Sequence, residues 1–134
     1  MLVSDFATAR GAVCAFETRR HVAIVIAELA RTNLEQQRGL QLRQFLEPEN
    51  GMLFIFPEPA PIKFWMKDTF IPLDMIFADD TGRVVFVEED AQPLSLLLRG
   101  PDEPTQFVVE VPSGWARAHS VENGSHFSFR LFGP

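Results

Sequence analysis

The sequence predicts a mainly β protein, a compact barrel or half-barrel of about seven short strands with two short helices. Short apolar, β-branched segments recur along the chain and are separated by turn residues. Strands do not alternate with long helices, which excludes a doubly wound parallel sheet. With 134 residues and 46% hydrophobic content, the chain suits one domain with one core. We therefore expect residues 1–134 to form a single domain, with residues 1–10 loosely ordered.

The first half of the chain is predicted to begin with a hairpin and a helix. Residues 11–18 and 22–29 are apolar segments separated by a short polar stretch, which is typical of two paired strands. Thr32 and Glu35 have the spacing of a capping box, in which each side chain bonds to the backbone of the other residue. The sequence therefore predicts a short helix that begins after Thr32 and ends at Gly39.

The remaining strands are predicted from apolar runs that end at prolines, glycines or acidic turns. Residues 52–56 are continuously apolar, which fits a strand buried on both faces or one entering a barrel wall. Residues 62–67 alternate instead, so that Lys63, Trp65 and Lys67 share the face turned away from the core. Further strands are predicted over 73–78, 83–88, 106–111 and 126–132, with a second short helix over 115–118.

Charge and hydropathy exclude several classes of protein. The net charge is -6, with 12 Lys and Arg against 18 Asp and Glu, so few cations are available to neutralise phosphates. We therefore expect no nucleic-acid partner. No apolar run approaches the roughly 18 residues that a membrane-spanning helix needs, so the chain as written is expected to be soluble. Its compartment stays open, because a removed export signal would leave the same sequence.

No metal, cofactor or disulfide is predicted. Cys14 is the single cysteine, which excludes an intrachain disulfide, and we expect it to be a small apolar residue in a strand. His21, His119 and His126 are isolated from one another in the sequence, so they do not form a metal-ligand motif. Neither a GxGxxG nor a Walker spacing occurs, so no phosphate-binding loop is expected.

The candidate site lies in residues 64–77, where polar side chains interrupt an apolar run. Trp65, Lys67 and Asp68 lie close enough for an indole, an ammonium and a carboxylate to converge on a small polar ligand. Thr69 adds a hydroxyl group but has no adjacent His to act as its base. Alternatively, Trp65 covers a barrel mouth, and Lys67 with Asp68 is an ordinary surface pair worth about 0 to 1 kcal/mol.

Asp74 interrupts a second apolar stretch, where a carboxylate must either accept several hydrogen bonds or be protonated. It is either a structural carboxylate that receives backbone N–H groups or a ligand-binding or acidic group in a pocket. Gln92 and Ser95 add an amide and a hydroxyl in an apolar connection. If that connection folds over a barrel end, both residues would face the Trp65 cluster.

Several long motifs resemble those of a known family. They are GMLFIF at 51–56, FWMKDT at 64–69, IPLDMIF at 71–77 and GRVV at 82–85. Together with the capped helix region at 32–43 and VEVPSG at 109–114, they resemble the uncharacterised bacterial and archaeal DUF192 family over about residues 12–129.

The resemblance implies a small β barrel with short helical connections, of the cradle-loop or double-psi type. It implies no reaction, because the family has no established one. Members often carry an export signal or lipid anchor, which suggests the periplasm or cell envelope if a signal was removed, and otherwise the cytoplasm. The family commonly has Asn where Asp68 stands, and its closing Gly-Asp turn is Gly124-Ser125 here.

Three functions fit these observations. The leading hypothesis is a non-catalytic binding or interaction module that presents Trp65, Lys67 and Asp68, backed by Asp74, to a small polar ligand, a glycan or a peptide. A second is a small hydrolase that uses Asp74 or Asp68 as acid or base and Lys67 for electrostatic stabilisation. A third is a structural cell-envelope protein whose Trp65 face docks onto a partner. The sequence does not predict the oligomeric state.

Overall fold

One mixed sheet of seven strands organises the chain. The computed structural model describes residues 3–134, with side chains from residue 6 onward. The strands are β1 (Gly11–Glu17), β2 (Val22–Ala30), β3 (Asn50–Ala60), β4 (Leu73–Ala78), β5 (Val84–Ala91), β6 (Thr105–Pro112) and β7 (His126–Phe132). Their order in the sheet is β5-β4-β6-β3-β2-β1-β7. Strands β2 and β3 are parallel, and the other neighbours are antiparallel. The mainly β single domain with seven strands is therefore confirmed.

Three short helices connect or flank the strands in the described part of the chain: α1 (Val3–Thr8), α2 (Asn33–Arg38) and α3 (Trp115–Ala118). Helix α2 begins with the predicted capping box, in which Glu35 N donates to Thr32 Oγ1 at 3.1 Å and Thr32 N donates to Glu35 Oε1 at 3.2 Å. Helix α1 lies where no element was predicted, and residues 1 and 2 of that segment lie outside the described residues. None of the described helices has the length and apolarity to cross a membrane.

Of the two predicted arrangements, a barrel or a half-barrel, the closed barrel is wrong, because the sheet is open. Strands β5 and β7 are its two edges, and they approach each other at one end through a bridge between Arg83 and His126. A barrel encloses one interior, whereas this sheet buries apolar side chains on both faces. All six residues of β4 are buried, as expected for a strand covered on both sides.

Alternate residues of the central strands therefore belong to two separate cores. The first core packs α3 against one face of the sheet and includes Cys14, Phe16, Val25, Leu53, Ile76, Val109, Trp115 and Phe127. The second core covers the opposite face and includes Leu40, Met52, Phe54, Met66, Leu73, Met75, Phe77 and Val108. The candidate site described below lies over the second core.

Residues 62–67 are not a strand of the sheet, contrary to the prediction. Phe64 forms an isolated bridge with Arg99, and the segment runs beside the connection that follows β5. Its alternation nevertheless has the predicted effect. Met66 is buried in the second core, and Trp65 lies on the exposed side of the segment. An extended segment turns successive side chains to opposite sides whether or not it joins a sheet.

Candidate functional site

A cavity of about 290 Å³ lies between the α2 region and residues 62–69. Its apolar wall is provided by Phe54, Phe56, Ile62, Phe64 and Leu40. Its polar lining comes from Asn33, Gln36, Gln37, Arg38 and Gln41 in the α2 region, from Lys63, Lys67 and Thr69 in the extended segment, and from Glu110 in β6. Trp65 completes the lining, so three of the predicted site residues meet here: Trp65, Lys67 and Thr69.

Glu110 is the most unusual residue of the cavity. It lies in the middle of β6, paired with Met52 of β3 on one side and Met75 of β4 on the other. The residue is 4% exposed, and no hydrogen bond or ion pair to its carboxyl group occurs within the described part of the chain. Burial raises the pKa of Glu110 from 4.5 to about 8. The carboxyl group is therefore mostly protonated at neutral pH.

Gly39, at the end of α2, lies close to the Glu110 carboxyl group. Its backbone has a φ of 50°, in the left-handed region that glycine adopts most readily. A methyl group placed on Gly39 would lie 3.4 Å from Phe54 Cζ and 3.7 Å from Glu110 Oε1. The end of α2 thus comes directly over the carboxyl group without a side chain in between.

Gln36 fastens α2 to the edge of the cavity. Its Nε2 donates to the carbonyl oxygen of Ala30 at 3.2 Å and to that of Ile55 at 2.8 Å. These bonds join the helix to the end of β2 and to β3, so the sheet fixes the position of the helix that carries Arg38 two residues later. The side chain of Arg38 is exposed and forms no ion pair with any described residue.

Trp65 and Lys67 lie together on the outer side of the extended segment. Trp65 is 44% exposed, and Lys67 Nζ lies 5.4 Å from the centroid of its ring. This distance is within the range of a cation–π interaction. Within the described residues, no carboxylate forms an ion pair with Lys67. The indole face of Trp65 and the ammonium group of Lys67, which has no ion-pair partner among the described residues, therefore both lie at the cavity.

Thr69 and Asp68 shape the end of the segment. Thr69 is buried and its Oγ1 donates to the carbonyl oxygen of Lys67 at 3.1 Å. Asp68 has a φ of 53°, and its carbonyl oxygen accepts a hydrogen bond from Leu42 N at 2.8 Å. Asn and Asp tolerate this backbone conformation better than most residues, which explains why either residue suits the position. The Asp68 side chain borders an adjoining depression rather than the cavity itself.

Asp74 is not part of this cluster. It projects from β4 into the first core, on the opposite face of the sheet. Its Oδ1 accepts a hydrogen bond from Asp90 N at 2.8 Å, and its Oδ2 accepts bonds from Gly114 N at 3.1 Å and Ala116 N at 3.0 Å. The carboxylate therefore joins the end of β5 and the start of α3 to β4.

Gln92 and Ser95 lie in the connection beside the cluster but do not line the cavity. Gln92 Nε2 donates to the carbonyl oxygen of Asp90 at 3.2 Å. Ser95 Oγ accepts hydrogen bonds from Leu97 N at 3.3 Å and from an Arg99 amino group at 3.2 Å. Both side chains are thus engaged within their own connection.

The same connection exposes an apolar surface next to Trp65. Its backbone is held to the extended segment by bonds from Met66 N to the Ser95 carbonyl at 2.9 Å and from Leu94 N to the Thr69 carbonyl at 3.0 Å. Its leucines are 56 to 67% exposed: Leu94, Leu96, Leu97 and Leu98. The connection therefore lies next to the Trp65 cluster, but Gln92 and Ser95, which were expected to face that cluster, do not line the cavity.

Sequence reasoning missed Glu110 and Arg38. A signal for Glu110 was present, because a lone carboxylate interrupts the valines of β6 just as Asp74 interrupts β4. Arg38 carries no comparable signal, since a cation in the last turn of a helix is ordinary. No group of three metal-ligating side chains occurs among the described residues.

The fold and the cavity together define a mainly β domain with a small polar cavity, lined by the buried carboxyl group of Glu110, which has no partner among the described residues. The chain matches the DUF192 family, described as an uncharacterized ACR, over residues 15–129. It belongs to that family. Among curated proteins, none matches the chain.

Two crystal structures have the same fold. A protein of Sinorhizobium meliloti 1021, described as a "putative transcription regulator", has a TM-score of 0.87 and 29% identity, with 91% of this chain and 95% of that chain covered. A protein of unknown function from Novosphingobium aromaticivorans DSM 12444 has a TM-score of 0.84 and 32% identity, with 87% of this chain and 83% of that chain covered. The similarity therefore extends over most of all three chains.

Proposed function

We propose that this protein is a non-catalytic binding module that takes a small polar ligand in the cavity beside Trp65. The observation that carries the proposal is the carboxyl group of Glu110, which is buried, lacks a described partner and opens into that cavity. A carboxyl group that lines a cavity and has no partner among the described residues must take its hydrogen-bond partner from the contents of that cavity. A bound ligand would supply the missing partner.

The composition of the lining supports a small polar ligand. The volume of about 290 Å³ is at the lower end of the range of about 300 to 1,000 Å³ that small-molecule sites show. Aromatic rings form one wall, and amides, cations and a hydroxyl form the rest. This combination suits a sugar or a single amino-acid residue, which has both apolar faces and hydrogen-bonding groups. An extended peptide would need a longer groove.

The geometry does not favour a hydrolase that combines Asp74 with Lys67. These two side chains lie on opposite faces of the sheet, and both Asp74 oxygens already accept backbone hydrogen bonds. Direct contact with DNA is not favoured either. The chain's net charge of -6 offers little attraction to a phosphate backbone.

A fluorescence titration tests the proposal. The chain has two tryptophans, so the Trp115→Phe variant leaves Trp65 as its single indole emitter. We expect a saturable change in its emission with at least one of five small probes: glucose, glucuronate, glucosamine, glutamate and lysine. The matched control is Trp65→Phe, which retains Trp115 in the first core and should show no change. If none of the five probes changes the emission or raises the melting temperature, the proposal is overturned.

A further inference from the structure

We propose that the ligand carries an oxyanion, which Arg38 and Lys67 neutralise at the rim while the Glu110 carboxyl group donates a hydrogen bond to a ligand oxygen. This inference rests on the proposed function and specifies its ligand class. Small carboxylates and small phosphate esters share the required chemistry. Neutral sugars and amines lack it.

The charged side chains that line the cavity are mostly cationic. Four ionisable side chains line it: Arg38, Lys63, Lys67 and Glu110. Lys63 is already engaged, since its Nζ donates to the carbonyl oxygens of Gly100 at 2.6 Å and Pro101 at 2.9 Å and lies 3.0 Å from Asp102 Oδ1.

Arg38 and Lys67 differ from Lys63, because neither has an ion-pair partner among the described residues. The chain has a net charge of -6, yet these two cations make the charge at the cavity locally positive. A guanidinium group and an ammonium group both bind carboxylate or phosphate oxygens well. An anionic ligand is therefore favoured over a cationic one.

The Glu110 carboxyl group has apolar neighbours on both adjacent strands. The neighbouring strands place Met52 and Met75 beside it, so neither strand offers a charge at the paired positions. The charged groups of the cavity come from the α2 region and the extended segment, namely Arg38, Lys63 and Lys67. Because burial raises the pKa of Glu110 to about 8, the group is a neutral donor at neutral pH. A neutral donor can bind an oxyanion, whereas a carboxylate would repel it.

A pH dependence follows from the cationic lining and the protonated carboxyl group. Below about pH 8 the Glu110 carboxyl retains its proton and can donate it in a hydrogen bond to the ligand. Above that pH the group becomes a carboxylate, loses the donor and adds a negative charge beside the bound oxyanion. We therefore expect affinity for an oxyanion to fall as the pH rises through this range.

Calorimetric titration with three probes of one ring scaffold tests the inference. Glucuronate carries a carboxylate, glucose is neutral and glucosamine is cationic. At about pH 6.5 we expect glucuronate to bind at least ~10-fold more tightly than the other two, a difference of about 1.4 kcal/mol. At about pH 9 we expect its affinity to fall by at least ~10-fold. In Glu110→Gln the fall should disappear, because the amide donates a hydrogen bond without ionising.

Charge-neutralising variants supply the control. Arg38→Gln and Lys67→Gln should each weaken glucuronate binding several-fold, and both residues are exposed, so the fold should be unaffected. Arg20→Gln removes an exposed cation that does not line the cavity and should leave binding unchanged. If glucose or glucosamine binds as tightly as glucuronate, the inference is overturned and the binding module survives. If no probe binds in calorimetry or in the fluorescence titration, both fail together.

Discussion

Asp74 and Glu110 lie on adjacent strands but project from opposite faces of the sheet. Asp74 is paired with Val111, and Glu110 is paired with Met75. The two acidic residues are therefore offset by one position in the strand register. Asp74 is 0% exposed and accepts three backbone hydrogen bonds. Glu110 is 4% exposed, and among the described residues it has no partner. The Asp74 carboxylate therefore stabilises the fold through its hydrogen bonds, whereas the Glu110 carboxyl group lines the cavity.

Replacing Asp74 should destabilise the protein. Asp74→Asn substitutes an NH2 group for one of two accepting oxygens, which leaves at least one buried N–H without an acceptor. Hydrogen bonds to charged groups contribute about 1.5 to 3 kcal/mol each, so we expect the free energy of unfolding to fall by about 3 kcal/mol. Urea titration followed by circular dichroism would measure the change. Asp80→Asn, in an exposed turn, is the matched control, and a loss below about 1 kcal/mol for Asp74→Asn would contradict the anchoring role.

Wild type should lose stability relative to Glu110→Gln as the pH rises. The folded pKa of Glu110 is about 8 and its ordinary value is 4.5, so between these values the folded state holds a proton that the unfolded state has lost. Stability from this group is complete below about pH 4.5 and is lost as the pH rises to about 8, with a slope of at most about 1.4 kcal/mol per pH unit.

Unfolding titrations of both proteins at several pH values would measure that slope. Glu110→Gln should lack it, because the amide does not titrate. Glu58→Gln, an exposed glutamate on β3, is the control and should retain the wild-type dependence. Parallel pH curves for wild type and Glu110→Gln would show that the carboxyl group is ionised in the folded protein at neutral pH.

The two tryptophans should differ sharply in their contribution to stability. Trp65 is 44% exposed, so Trp65→Ala should change the free energy of unfolding by about 1 kcal/mol or less. Trp115 is buried, packs edge-on against Phe16 at 5.8 Å and donates to Glu49 Oε2 at 3.2 Å. Trp115→Ala should therefore cost about 3 to 5 kcal/mol. Guanidinium titrations would compare them, and unfolding of Trp65→Ala would place that indole in the core instead.

Cys14 should be unreactive in the folded protein. Its side chain is fully buried in the first core, and burial raises the pKa of its thiol to about 12. The thiolate is the reactive form, so both access and ionisation oppose alkylation. We expect mass spectrometry to find no labelling by iodoacetamide at about pH 8, and complete labelling in guanidinium. Rapid labelling without denaturant would mean that β1 opens readily.

The local elements could be predicted because their signals lie within a few residues. The capping box of Thr32 and Glu35 marks the start of α2, and it forms as expected. The hairpin of β1 and β2 also forms, with Cys14 paired with Val25. Alternation placed Trp65 on the exposed side correctly, even though its segment is not a strand, because side-chain direction depends on an extended backbone alone.

The order of the strands and the presence of Glu110 in the cavity could not be predicted in this way. A strand buried on both faces has the same composition in a barrel wall and in the middle of an open sheet. Glu110 and Asp74 each interrupt an apolar run, but the sequence does not show which carboxyl group has backbone donors nearby. Those donors on Gly114 and Ala116 are 40 and 42 residues away from Asp74, so only the folded chain reveals them.

The position of β6 between β3 and β4 has a consequence for how the molecule assembles. β3 and β4 follow each other in the chain, yet they do not pair, because the later β6 separates them. The hairpins β1-β2 and β4-β5 can form from residues that are close in the chain. The centre of the sheet forms only when β6 inserts between β3 and β4, which are distant from it in sequence. Glu110 arrives on that strand. A chain in which β6 has not yet inserted should therefore lack the part of the cavity lining that Glu110 provides.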